Sequence, residues 1–122
     1  MRDFVTIAHV SDFREGKIRR YFLDGVEIGI VLWQGRWHAF HNRCPHADFQ
    51  LHFGYVEDDS LHCPIHYAVF ELVSGRRTGG PWGISDLPVY DVRLAGVEVQ
   101  VRLPRPLAGD AVSEAGEEVP QG

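Results

Sequence analysis

The chain has 122 residues, 44% of them hydrophobic, and a formal charge of −5. That is the size of one small domain with a modest core, and the composition excludes disorder throughout. No basic run exceeds two residues (Arg19-Arg20, Arg76-Arg77), which excludes the clustered positive face that nucleic acid requires.

In chain order, residues 4–8 read as a short strand, and residues 11–16 leave room for one turn. Residues 19–23 and 26–33 read as two strands joined by Asp24-Gly25, a dipeptide that suits a tight hairpin because both central residues need positive φ. Gln34-Gly35 repeats the device ahead of a strand at 37–40, and this meander delivers the chain to Cys44. Residues 55–57 and 61–63 flank an acidic turn, Asp58-Asp59-Ser60, and a strand at 68–72 ends at Ser74-Gly75. Residues 89–94 and 97–101 alternate cleanly across Ala95-Gly96, the pattern of a final hairpin with one apolar face. No window is long enough for a sizeable amphipathic helix, so the expectation is an all-β domain over residues 1–103. Residues 104–122 are rich in Pro, Gly, Ala and Glu without periodicity, and read as a disordered acidic tail. The tail carries a net −3, which leaves −2 for the folded part.

The N-terminal stretch has no apolar signal region, and the longest apolar run, 26–33, is broken by Glu27 and Gly29. A cytoplasmic, soluble protein is expected, with neither nucleic acid nor a membrane as partner. In that reducing compartment the two cysteines point to metal binding or catalysis rather than to a disulfide.

The chemistry concentrates in Cys44-Pro45-His46 and Cys63-Pro64-Ile65-His66. Each loop offers one thiolate and one imidazole, and each proline stiffens its loop. Sixteen residues lie between His46 and Cys63, including the hairpin at 55–62 that would carry the second loop back beside the first. A structural zinc site uses the same ligand types but pairs them as Cys with Cys and His with His, so zinc is the weaker reading. His9, His38, His41, His52 and His62 match no ligand position, and alternation turns His62 away from the side of Cys63. Trp33, Trp37 and Phe40 read as core, and Trp82 as an exposed contact residue.

The C-x-H, sixteen residues, C-x-x-H pattern resembles the Rieske family, in which two Cys hold one iron of a 2Fe–2S cluster and two His hold the other. The likeness extends to Leu51 and Gly54, to residues 70–75, to Gly80-Pro81 and to residues 87–90. It implies an all-β, Rieske-like fold of antiparallel sheets with two cluster-binding loops at one end, and Cys44, His46, Cys63 and His66 as ligands of one 2Fe–2S cluster. Within that family it resembles the soluble ferredoxins of bacterial ring-hydroxylating dioxygenase systems. The implied role is a one-electron carrier, not itself an enzyme, between an NAD(P)H-dependent flavoprotein reductase and a terminal oxygenase. Docking is then expected near His46, His66, Pro81 and Trp82. Two other readings stand beside it: a small subunit of an assimilatory nitrite reductase, and a structural metal-binding module.

Two histidines in place of two thiolates leave the oxidised cluster site neutral, which raises the potential above that of a four-cysteine cluster. High-potential members carry hydroxyl donors where this chain has Ala68 and Phe70, so a potential near the low end, on the order of −150 mV, is expected. Protonation of the outer nitrogens of His46 and His66 would tie that potential to pH. The chain departs from the family at Asp48 and Tyr67, which stand where glycine is usual. Glycine there admits unusual φ values, so loop geometry and docking hinge on those two residues.

Overall fold

The computed structural model describes residues 3–45, 48–65, 67–80 and 83–104. Among these residues the regular elements are ten strands and two 3-10 turns, with no α-helix, as the all-β expectation requires. The strands β1 (Val5–His9), β2 (Ile18–Leu23), β3 (Val26–Trp33), β4 (Arg36–His41), β9 (Val89–Ala95) and β10 (Glu98–Arg102) form one sheet in the order β1-β10-β9-β4-β3-β2. The strands β5 (Tyr55–Glu57), β6 (Ser60–His62), β7 (Val69–Glu71) and β8 (Arg77–Gly79) form a second sheet in chain order, inserted between β4 and β9. All strand pairings are antiparallel.

Turn chemistry sets the hairpins of the large sheet. Asp24 and Gly25 have φ of 50° and 79°, and Gln34 and Gly35 have 51° and 78°, the paired left-handed residues of type I′ turns. The last hairpin is shifted by one residue from expectation. Ala95 pairs with Glu98, so the turn is Gly96-Val97, and Gly96 alone of the two has positive φ, at 63°. A glycine in the first central place is the type II′ arrangement. The acidic turn is likewise shorter than expected: Ser60 pairs with Glu57, leaving Asp58 and Asp59 as a two-residue turn at φ 54° and 62°. Strand β8 was not foreseen, because Arg77-Thr78-Gly79 has no apolar alternation. It forms because β7 offers a free ladder edge, which Arg77 and Gly79 meet through a bulge. The turn expected at 11–16 falls at Val10–Asp12, where the His9 ring accepts from the Ser11 N–H at 3.0 Å.

Two apolar cores result, and β3 and β4 serve both. Ile28, Ile30 and Ala39 point into a core with Val99, Val101 and Phe13. Val31 and Phe40, one residue out of phase, point to the other side, toward Leu51, Leu61, Phe70 and both cysteines. A strand buried on both faces reads as a continuous apolar run, which explains residues 26–33. Phe40 is buried, while Trp33 and Trp37 are partly buried against one core each, as the core reading expected. The tail expected over 104–122 lies outside the described residues from 105 onward.

Candidate metal centre

Two loops carry the cysteines. The first, residues 43–50, runs from β4 to the 3-10 turn Leu51–Phe53. It closes on itself: the Cys44 N–H donates to the Phe49 carbonyl at 2.8 Å, the Asp48 N–H to the Cys44 carbonyl at 2.8 Å, and Arg43 bridges Gln50. The second loop, residues 63–68, caps the β6–β7 hairpin just past the His62–Val69 pair, with the Cys63 N–H donating to the Ala68 carbonyl at 2.9 Å. The β5–β6 hairpin brings the second loop back to the first, as expected. Glycine is required where that hairpin starts, since a Cβ on Gly54 would lie 2.0 Å from the His62 carbonyl oxygen.

The outcome is a pair of free cysteines, Cys44 at 1% and Cys63 at 2% exposure, in one apolar cluster and within hydrogen-bonding reach of each other. Burial pushes the Cys63 thiol up to about 11; the Ile65 N–H, donating to its sulfur, opposes this, and the neighbouring Cys44 adds to it. Two buried thiols side by side are costly to ionise alone, and a cation that takes the place of both protons removes that cost. The donor set therefore fits a metal held by a thiolate pair. The other two expected ligands, His46 and His66, lie outside the described residues, as do Pro81 and Trp82.

Asp48 and Tyr67 have φ of 54° and 58°. Both loops thus hold the left-handed conformation that glycine would adopt freely, with side chains that do not favour it. Asp tolerates this region; for Tyr it costs on the order of 1 kcal/mol. The Tyr67 ring is 83% exposed, so packing does not compensate that cost. Asp48 is steadied through Arg43, which donates to its carbonyl at 3.0 Å. A third loop lies against the second: Gly80 has φ 106°, and a Cβ there would sit 2.6 Å from the Ala68 Cα. This loop is tied down by Asp86, which accepts from the Arg77 N–H at 2.9 Å, and by the Ile84 carbonyl, which accepts from Arg77 Nε at 3.1 Å. Ala68 and Phe70 are fully buried, and neither carries a hydroxyl donor.

Sequence reasoning missed the group beneath the first loop. Glu27 on β3, noted only as a break in an apolar run, is 6% exposed. Its Oε2 accepts from Asn42 Nδ2 at 2.9 Å and Gln50 Nε2 at 2.8 Å, and its Oε1 from Arg43 Nε at 2.9 Å. Burial alone would push the Glu27 carboxyl up, but the donors from Gln50, Asn42 and Arg43, with the Arg43 charge, hold it below the usual range. The available signal was a lone acid in the middle of a two-faced buried strand.

The five histidines set aside have other occupations. His9 caps the first turn, His41 lies 3.3 Å from the Tyr90 hydroxyl, His52 lies 2.8 Å from Asn42 Nδ2, and His62 stacks on Tyr55 with ring centres 4.6 Å apart. His38 lines a cleft of about 440 Å³ with Trp33, Arg36 and Asp59 that holds neither cysteine. A depression of about 250 Å³ opens instead beside Cys44 and Pro45. Among the described residues no helix is long and apolar enough to cross a membrane.

Residues 3–90 match the family model of the Rieske [2Fe-2S] domain. The chain is 32% identical over 96 residues to the 3-phenylpropionate/cinnamic acid dioxygenase ferredoxin subunit of Shigella boydii, covering 78% of this chain and 89% of that protein. It is 29% identical over 97 residues to apoptosis-inducing factor 3 of Mus musculus, of which it spans only 16%. The ferredoxin of carbazole 1,9a-dioxygenase from Nocardioides aromaticivorans superposes with a TM-score of 0.74 at 26% identity, covering 80% of this chain and 95% of that one. With its two buried thiols side by side at facing loops, this chain belongs to the Rieske [2Fe-2S] domain family, and its cofactor is a 2Fe–2S cluster.

Proposed function

We propose that Cys44, His46, Cys63 and His66 hold the cluster, and that the chain is a cytoplasmic carrier of single electrons from an NAD(P)H-dependent flavoprotein reductase to a terminal oxygenase. The observation that carries the reading is the pairing of Cys44 and Cys63: buried, unbridged, and each at the closed end of a loop with a left-handed residue beyond it. The bound cluster supplies a one-electron couple. The chain's own residues supply the setting. Cys44 and Cys63 give up their protons to bind; the two loops hold them in apolar surroundings; Ile65 donates to the Cys63 sulfur. The absence of hydroxyls at Ala68 and Phe70 favours a potential at the low end of the family range, on the order of −150 mV. The surface around His46, His66, Pro81 and Trp82 is the docking face in this reading, and residues 104–122 form a separate acidic tail that leaves 1–103 as the folding unit. The relatives that are dioxygenase ferredoxins support the carrier role and the oxygenase partner.

The test is iron and acid-labile sulfide on anaerobically purified protein, with the EPR spectrum after dithionite reduction. Two irons and two sulfides per chain with a Rieske-type reduced signal are expected. Zinc in place of iron, or a cluster that survives replacement of His46 or His66 by alanine, overturns the ligand assignment.

A further inference from the structure

We infer that Glu27 is a positioning residue for the cluster: its buried carboxylate clamps both limbs of the first ligand loop and so governs how firmly Cys44 and His46 are held. The inference rests on those two residues being ligands. The entering limb reaches Glu27 through Asn42 and Arg43, and the leaving limb through Gln50. Backbone bonds reinforce the same base: the Asn42 N–H donates to the Glu27 carbonyl at 3.0 Å, and the Leu51 N–H to the Asn42 carbonyl at 3.1 Å. The residues between carry Cys44 and His46. Within this loop the described ties are short-range, and the Glu27 carboxylate is the side chain that joins both of its ends to β3.

Only a carboxylate can do this. It offers acceptor sites alone, and three donors converge on it; a glutamine would aim its own N–H groups either at Asn42 and Gln50 or at Arg43. Asn42 has no exposure, and its Nδ2 also lies 2.8 Å from His52 Nδ1, a contact that turning the amide to compensate would give up. The charge matters as well. Glu27 balances Arg43, which adjoins Cys44 in sequence, and Arg20 lies 3.9 Å from the same carboxylate. Neutralising Glu27 leaves a net positive charge beside the loop, and positive charge favours the reduced cluster.

The test compares full-length holoprotein of wild type, Glu27→Gln, Gln50→Ala and, as a control, Asp91→Asn, which breaks the Arg102–Asp91 pair between β9 and β10. Two quantities are read: the rate at which EDTA bleaches the cluster absorbance, and the midpoint potential by EPR-monitored titration. Glu27→Gln is expected to bleach about tenfold to a hundredfold faster, with its midpoint moved upward. Gln50→Ala is expected to bleach faster with no change in midpoint, since it loses a donor and keeps the charge. Asp91→Asn should change neither. A Glu27→Gln protein that melts earlier yet keeps the wild-type bleaching rate and midpoint reduces Glu27 to an ordinary stability residue and overturns the inference. If Glu27→Gln does not fold, Gln50→Ala decides, and a wild-type bleaching rate there overturns it. Wild-type protein without iron and sulfide would instead defeat the ligand reading before any variant is made.

Discussion

In the six-stranded sheet the strands run for five to eight residues and bury Ile28, Ile30, Val99 and Val101 completely. In the four-stranded sheet every strand is three residues long, and the buried set around it includes both cysteines. Three-residue strands supply little ladder and little apolar area of their own. The small sheet therefore leans on the face of the large sheet, through Phe40, Val31 and the bond from Trp33 Nε1 to Asp59 at 2.7 Å, and, with the ligands proposed above, would lean on the cluster as well. The large sheet has hairpins and a core that need neither. The difference teaches that strand length and apolar burial are concentrated in one half of the molecule, while the half that carries Cys63 has little of its own to hold it.

Removing the cluster is the sharpest way to break that contrast. A Cys63→Ala protein is expected to lose the cluster, and amides of Leu61 and Phe70 should then lose about 4 kcal/mol or more of hydrogen-exchange protection. Those of Ile28 and Ile30 should keep theirs. Equal loss in both sheets would mean the two halves unfold as one. Glycine substitutions come next. Gly54→Ala drives a Cβ to within 2.0 Å of the His62 carbonyl oxygen and is expected to cost about 3 kcal/mol in urea unfolding. Gly25→Ala, at φ +79° in open space on the large sheet, should cost about 1 kcal/mol.

Acid should act in two steps. Burial lowers the imidazoles of His38, His41 and His52 below their usual value, so below about pH 6.5 the unfolded chain takes up protons that the folded chain refuses. Their contribution is present above that pH and is lost as pH falls through the lowered folded values. Glu27 has its folded carboxyl lowered too, so its contribution is present above the ordinary carboxylate range and lost below it. Thermal melts from pH 8 to 3 should show both declines in wild type, and a smaller second decline in Glu27→Gln, where Glu71, lowered by its bonds from Ser74 and Arg76, still titrates. The smallest effect is also the only gain. Tyr67→Gly removes a left-handed tyrosine at the cost of a more flexible unfolded chain, for a net stabilisation of roughly 0.5 kcal/mol. A loss instead would show that the exposed ring contributes to the fold.

Much of the centre was legible in the linear chain because its signals are local. Cys44 and Cys63 declare themselves by their neighbours, and the departures at Asp48 and Tyr67 each mark a place where a cysteine loop is left-handed. The Asp24-Gly25 and Gln34-Gly35 hairpins could be placed because a two-residue turn depends on its own φ values and little else. Where turn chemistry was weaker the reading slipped by one residue, at Ser60 and again at Gly96, since a single pair of hydrogen bonds decides the register there.

The chain by itself thus determined the all-β class, the meander, the cysteine pair and the family. Tertiary structure decided the rest. It inserted the small sheet between β4 and β9, set β1 against β10 at the far edge, and recruited Arg77-Thr78-Gly79 into a strand that composition does not suggest. Above all it gave Glu27 its neighbours. An acid in an apolar run looks like an interruption until β4 pairs with β3 and brings Asn42 alongside it, and until the loop returns Gln50 to the same place. Turns and ligand motifs are written in adjacent residues; a buried carboxylate finds its donors only when distant segments meet.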